Sequence, residues 1–179
     1  MDKVLISIED ICRYRPTSKV IPVDRIQPFI REAQMQDLMP VLGDVLYYDF
    51  LNKFDVTTDP NYTAYQELLY GKTYTPSGYP STITFEGVVP IVSYFALARY
   101  YENSQLNATA YGLVQKNSEY ATATPSQAVQ AHAEYLRSLG VSFQDGLKVF
   151  LNNNLTTYPL YQYGDKGNIQ DMGVKFFSV

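Results

Sequence analysis

The stretch Glu86–Pro125, EGVVPIVSYFALARYYENSQLNATAYGLVQKNSEYATATP, decides how this chain folds. Its first half is apolar almost all the way round a helix, and a helix that is apolar on every side has to be buried on every side. Its second half is polar, rich in Thr and Asn, and keeps no helical or strand period for long. We therefore expect a buried central helix over about residues 88–103, followed by loop with one extended piece at 111–115.

Helical patterns flank this central helix, so the predicted fold class is mainly α, a helical bundle. The other expected helices cover about residues 8–14, 24–38, 44–54, 60–70 and 125–151. A proline disfavours the α conformation in the residue before it, so we expect the second helix to end before Met39. The last helix carries Ala128, His132, Tyr135, Leu136 and Leu139, with His132 expected at a buried or boundary position, and Gly140 is expected to kink the helix.

Two regions depart from the helical pattern. Residues 72–85 are rich in Thr and Tyr, contain a Pro-Ser-Gly turn and alternate in polarity, which predicts a β-hairpin inserted between helices. Residues 155–179 have no helical period, but they are too aromatic for an ordinary disordered tail. We therefore predict a helical domain over 1–154 and an extended C-terminal arm over 155–179. The arm either packs on its own domain or adds a strand to a neighbour through residues 174–179.

Composition excludes several classes of function. The 179 residues carry a net charge of −4, and the 14 Lys and Arg are scattered, unlike the basic stripe of a protein that grips nucleic acid. The one cysteine rules out an internal disulfide. No signal-peptide pattern opens the sequence, and its longest apolar run is too short to span a bilayer. We expect a soluble protein made in a reducing cytoplasm, with no membrane partner.

Residue patterns that carry catalysis are not found in the sequence. His132 has no second His or Cys at metal-ligand spacing, so a packed or surface side chain is the favoured interpretation. Cys12 is best read as a small hydrophobe, although the neighbouring Arg13 leaves a lowered thiol pKa as the alternative. There is no phosphate-binding glycine loop and no nucleophile elbow. We expect no enzyme activity, no cofactor and no metal.

The chain is rich in aromatic residues, with 17 Tyr and 9 Phe. Tyrosine suits surfaces that meet other proteins, because it presents a large ring and a hydroxyl group. The alternative for each tyrosine is a half-buried position at the edge of the core. The candidate protein-interaction residues are Tyr74, Tyr79, Tyr111, Tyr158, Tyr161, Tyr163, Phe176 and Phe177.

Four segments, in order, resemble a known family. They are LISIEDICRY, IQPFIREAQMQDLMPVLGDVLYYDFL, the opening stretch EGVVPIVSYFALARYYENSQLNATAYGLVQKNSEYATATP, and NNNLTTYPLY. Together they are similar to the head–tail connector (adaptor or neck-ring) proteins of crAss-like phages and related phages of gut Bacteroides. The resemblance covers most of the chain to about Tyr161. It is weakest in the hairpin and in the last residues.

The resemblance implies a structural virion protein at the head–tail junction. Such subunits form a homo-oligomeric ring, commonly a dodecamer, below the portal protein. The ring extends the channel through which genomic DNA passes without sequence-specific binding, and it docks further neck or tail rings. NATAYGLVQKNSEY then becomes a candidate for subunit or channel contact. One alternative is a tail-proximal ring or tail-completion protein, and another is a binding module whose Tyr-rich hairpin recognises a glycan or host protein.

Overall fold

A computed structural model describes residues 3–15, 21–76, 78–104, 106–109, 112–115 and 125–163. The protein is mainly helical, with a small antiparallel hairpin inserted between two helices, as predicted. In chain order the elements are α1 (Ile8–Tyr14), α2 (Val23–Ala33), a π-helical turn (Gln34–Leu38), α3 (Met39–Leu42), α4 (Asp44–Lys53), α5 (Tyr62–Tyr70), β1 (Lys72–Tyr74), β2 (Ile83–Phe85), α6 (Val89–Ser104), β3 (Leu106–Thr109), β4 (Gly112–Gln115), α7 (Ser126–Asn153) and a 3-10 helix (Pro159–Tyr163).

Helix α6 is the buried centre of the fold, which confirms the prediction drawn from its apolar sequence. Every residue from Gly87 to Ala98 is buried. The helices α1, α2 and α7 and the π-helical turn all contact α6. Helix α7 runs antiparallel to α6, since Tyr94 stacks on Phe143 near one end of the pair and Tyr101 contacts His132 near the other.

The second helix continues past the point where we expected it to end. Met39 has φ −57° and ψ −43°, so it is α-helical although a proline follows it. The physical reason is the π-helical turn just before it, in which the Met39 N–H bonds to the Gln34 carbonyl. Pro40 then lies in the first turn of a new α-helical segment, where its missing N–H is tolerated. The helix ends at Gly43, whose φ is 78°.

At the base of the predicted hairpin, the backbones of the two strand ends approach each other closely at Gly71. In the antiparallel ladder Lys72 pairs with Phe85 and Tyr74 pairs with Ile83. A Cβ on Gly71 would lie 2.3 Å from the Phe85 carbonyl oxygen, and the φ of this glycine is 100°. Only glycine allows such an approach of two backbones without strain. The hairpin is thereby tied directly to the ends of α5 and α6.

A second hairpin follows α6, where we expected loop with a single extended piece. Strands β3 and β4 pair antiparallel, from Leu106 opposite Gln115 to Thr109 opposite Gly112. The expectation was wrong for β3, whose sequence LNAT carries little of the β-branched alternation that marks a strand. The pairing stabilises this strand where its own sequence pattern does not.

Gly140 lies within an unbroken α7 and marks a close contact with α6. A Cβ at this position would lie 2.7 Å from the Phe95 ring. The glycine therefore lets α7 approach α6 closely, which is a different role from the kink we expected.

The first part of the predicted C-terminal arm belongs to the domain. Tyr158 and Tyr161 are 2% and 0% exposed and are part of the hydrophobic core. The Tyr158 hydroxyl donates to the Ala64 carbonyl at 2.7 Å, and the 3-10 helix packs against α4. The domain thus extends past the predicted boundary at 154 to at least Tyr161.

Candidate protein-interaction surfaces

The two hairpin tyrosines chosen from the sequence have different environments. Tyr74 is half-buried, and its ring meets Phe150 edge-on with centroids 5.2 Å apart. Burial raises the pKa of the Tyr74 hydroxyl, so this group stays protonated near neutral pH. Tyr79 is 61% exposed. Of these two candidates, only Tyr79 presents most of its ring to a partner.

The C-terminal candidates divide between the core and parts that the structure does not describe. Tyr158 and Tyr161 are buried within the domain, so their side chains are not accessible to another protein. Burial also raises the pKa of Tyr158. The side chain of Tyr163 and the residues Tyr111, Phe176 and Phe177 lie outside the described part of the chain. For those four, contact with a partner stays a prediction.

An aromatic edge, formed by the half-buried Tyr101 and the exposed His132 and Tyr135, was missed in the sequence. His132 is exposed, with its ring 5.4 Å from that of Tyr101. Tyr135 is 51% exposed, and the Arg15 guanidinium lies 5.4 Å from its ring centroid, within cation–π range.

This edge corrects the predicted buried face of α7. Leu136 is buried, but the residues buried beside it are Ala133 and Gly140, whereas His132 and Tyr135 are exposed. The signal lay in the small residues: Ala133 and Gly140 follow the helical period through Leu136.

The first turns of α7 are exposed beside the aromatic edge. Between Ser126 and Ala131 no residue is buried, and Val129 is the one half-buried side chain. Tyr101 meets His132, and α6 continues for three residues beyond Tyr101 to Ser104.

Ion pairs join α6 to its neighbours. Arg99 Nη1 lies 2.6 Å from Asp37 Oδ2 in the π-helical turn. Asp37 Oδ2 accepts no hydrogen bond from the described residues, so this contact is an ion pair only. Arg137 of α7 donates two hydrogen bonds to the Glu102 carboxylate, the first at 2.6 Å. The bonds to Glu102 raise the pKa of Arg137. These pairs fix how α6 sits between the π-helical turn and α7.

A tyrosine–carboxylate–lysine cluster joins α4 to α5. The Tyr65 hydroxyl donates to Asp49 Oδ2, and Lys53 Nζ lies 2.6 Å from Asp49 Oδ1. Burial tends to raise the pKa of Asp49, but the hydrogen bonds from Lys53 and Tyr65 outweigh it and lower that pKa. Burial and the bond to Asp49 raise the pKa of Tyr65. The phenol is thus a protonated donor, and the cluster stabilises the contact between the helices.

A concave groove, which we call the N-terminal groove, lies between residues 3–7, α1 and α2. It consists of two adjoining cavities of about 580 and 410 Å³ that share Val4 and Gln27 as lining residues. Volumes in this range are typical of sites that bind small molecules or side chains. Tyr70, which is 51% exposed, closes the larger cavity. The sequence showed no sign of this groove, because its lining comes from segments that are separate in the chain, within residues 4–13 and 23–32, and from Tyr70.

Metal-binding clusters and membrane-spanning helices are both absent from the described ranges. In these ranges no three His, Cys, Asp or Glu side chains lie close enough together to hold a metal ion. Among the helices of the same ranges, none is long and apolar enough to cross a membrane. Cys12 is half-buried in α1.

Residues 38–170 match a family of unknown function, DUF6712. The match covers well over half of the chain, so the chain belongs to this family. No curated protein and no solved structure matches the chain.

Proposed function

We propose that this member of DUF6712 is a structural subunit of a phage virion, one copy in a homo-oligomeric ring at the head–tail junction. The ring lies below the portal, extends the DNA channel and docks the next neck or tail component. The observation that supports this function is the ordered set of segments that resemble connector proteins. In space these segments form one unit: α1, α2 and the π-helical turn contact α6, while α3 packs against that turn and α4 packs against α3.

A ring subunit needs two different surfaces, because each copy meets one neighbour on each side. The protein exposes apolar and aromatic side chains on separate helices. The aromatic edge with Arg15 occupies the end of α6 and α7, while Val45 and Tyr48 on α4 are 46% and 50% exposed. Aromatic residues and arginine are enriched at protein interfaces. These two sets are the candidate subunit contacts.

The charges favour a channel wall that DNA can slide along. Six basic side chains of the described part are paired with carboxylates: Lys3 with Asp55, Arg13 with Asp10, Lys53 with Asp49, Lys72 with Glu67, Arg99 with Asp37, and Arg137 with Glu102. A cation held by a carboxylate has less to gain from a phosphate, and phosphate neutralisation supplies most non-specific DNA affinity. We therefore expect weak DNA binding that vanishes at physiological salt.

The proposal is tested on virions and on the purified protein. Mass spectrometry of purified virions is expected to find multiple copies per particle, and electron microscopy of a complex with the portal from the same genome is expected to show a ring. Absence of the protein from mature virions would overturn the proposal. A ring that joins the tail but does not bind the portal would favour the tail-proximal or tail-completion alternative.

The exposure of Tyr79 favours a second candidate function, a binding module for a glycan or host protein. Its ring is 61% exposed, as a stacking platform for a sugar requires. A glycan array with the purified protein tests this candidate, with Tyr79→Ala as the matched negative control. Binding that the variant loses would support the module, and an array without signal would count against glycan recognition.

A further inference from the structure

The N-terminal groove has an aliphatic floor and a charged rim. The apolar lining that a ligand can reach consists of Val4, Ile8 and Val23, since Val4 and Ile8 are half-buried and Val23 is 57% exposed. Ile6, Ile26 and Ile30 also line the larger cavity but are buried in the core. The rim carries both signs of charge, with Arg13 and Glu9 beside one cavity and Arg31, Asp24 and Glu32 beside the other. An apolar trough of this kind, rimmed by mixed charge, suits a short peptide with apolar side chains and both signs of charge.

The backbone beside the groove has hydrogen-bonding capacity to spare. Residues 3–7 form neither helix nor strand. The Leu5 N–H donates to Gln34 Oε1, but within the described part of the chain the main-chain groups of Val4 and Ile6 make no hydrogen bond. A bound peptide would supply main-chain donors and acceptors to these groups as well as side chains to the floor.

One segment of the chain has the chemistry that the groove fits. Residues 171–179, DMGVKFFSV, hold two adjacent phenylalanines, two valines, one acidic and one basic residue. Sixteen residues follow Tyr163, the last described position. Extended, they reach up to about 50 Å, enough to leave their own subunit.

The groove and this segment share a further property. Residues 171–179, and all groove-lining residues except Tyr70, lie outside the range 38–170 that matches the family. Membership of the family therefore does not by itself imply the contact.

We propose that the N-terminal groove of one subunit binds residues 171–179 of a second copy. A groove and a peptide carried on the same chain form a head-to-tail interface, which repeats from copy to copy and closes into a ring when the rotation allows. The assignment of the second copy as the occupant rests on the proposed ring. Phe176 and Phe177 supply the apolar anchors, and Lys175 meets the acidic part of the rim.

The test uses full-length variants. Val23→Glu places a charge in the groove at a side chain that is already 57% exposed, so the fold is retained. Val141→Glu is the matched control, because Val141 is also helical, is 48% exposed and does not line the groove. The double variant Phe176→Asp/Phe177→Asp disables the segment instead. Thermal unfolding is measured for each variant to confirm that the fold is intact.

Light scattering after size exclusion gives the mass of each assembly. We expect the wild-type protein and Val141→Glu to assemble, and both the groove variant and the segment variant to remain single subunits. In an equimolar mixture of the two variants, the segment of the groove variant can bind the groove of the segment variant. The other groove and the other segment are both defective, so we expect a dimer and no larger assembly.

A fluorescein-labelled peptide of residues 170–179 measures the contact directly. By fluorescence anisotropy it is expected to bind the segment variant in a saturable manner, and about tenfold more weakly when Val23→Glu is added. No binding, or equal binding with and without Val23→Glu, would overturn the groove assignment. Peptide binding combined with a wild-type protein that stays a single subunit at all concentrations would show an intramolecular contact and overturn the second copy as occupant.

The proposed function and this inference fail in different ways. If the groove variant still forms rings, the groove contact is wrong but the proposed connector function still stands. If assembly depends on the groove but the protein is absent from virions, the groove contact is supported and the proposed connector function is wrong.

Discussion

Replacing Gly140 with alanine tests how closely α7 packs on α6, and Gly146 in the same helix supplies the control. A Cβ at Gly140 lies 2.7 Å from the Phe95 ring, whereas a Cβ at Gly146 meets nothing within 4 Å. Each substitution gains helix propensity, worth about 1 kcal/mol. Only Gly140→Ala also overpacks the core, which costs about 1–3 kcal/mol, because Phe95 is 5% exposed and has little room to move.

The propensity gain cancels between the two variants. Gly146→Ala is expected to be more stable than wild type, and Gly140→Ala less stable than Gly146→Ala by about 1–3 kcal/mol. Urea unfolding followed by circular dichroism gives both free energies, and in a chain of this size each kcal/mol corresponds to about 2–4 °C in Tm. Adding Phe95→Leu to Gly140→Ala removes the ring edge and should recover part of the loss. Equal stabilisation by both alanines would refute the close contact between the helices.

Three further predictions concern stability, each measured by urea unfolding. Phe150→Ala is expected to cost about 3–5 kcal/mol, because the ring is buried, stacks on Phe85 of the hairpin and contacts Tyr158; a loss no larger than that of a surface substitution would contradict this role. Gln34→Leu leaves a buried N–H and a phenol without their partner and is expected to cost about 1–3 kcal/mol; an unchanged free energy would show that these groups find other partners. Asp49 has a lowered pKa in the folded state through its bonds to Lys53 and Tyr65. Its stabilisation is therefore present above the unfolded-state pKa of about 4 and is lost as the pH falls through the folded-state value. Asp49→Asn should be less stable at pH 7, and its difference from wild type should shrink on acidification; a difference that does not depend on pH would contradict the cluster.

Some parts of the fold could be predicted because a local pattern and its tertiary environment agree. Helix α6 is apolar all round and is buried all round, so composition alone sufficed. Ser7 starts α1 with a capping box that also involves Asp10, a signal that lies within four consecutive residues. The hairpin at 72–85 carried both a turn and an alternating strand. In each case the deciding interaction is short in sequence or concerns a whole helix.

Other parts depend on contacts that a local pattern does not contain. The π-helical turn that carries the second helix through Pro40 also brings Gln34 to Leu5, a residue far away in sequence. The buried face of α7 was predicted only at Leu136; Ala133 and Gly140 were missed, and Gly140 was read as an interruption although it is a contact. Tyr158 and Tyr79 belong to one residue type, yet one is buried and the other is exposed, which only packing decides.

The limits of the family match do not coincide with a structural boundary. The match begins at Leu38, in the last position of the π-helical turn, within a helical stretch that runs from Val23 to Leu42. Ahead of that point, Ile11 and Ile26 are 0% exposed and belong to the same core as α6. In a fragment that starts at the match boundary, α1 and α2 would no longer cover α6, and its apolar faces would be exposed to water. This exposure would reduce the free energy of unfolding by about 25 cal/mol for each Å² of apolar surface. Residues 3–15 and 21–37 are thus part of the folding unit, and the groove they build is where this chain can add a contact that the matched range does not contain.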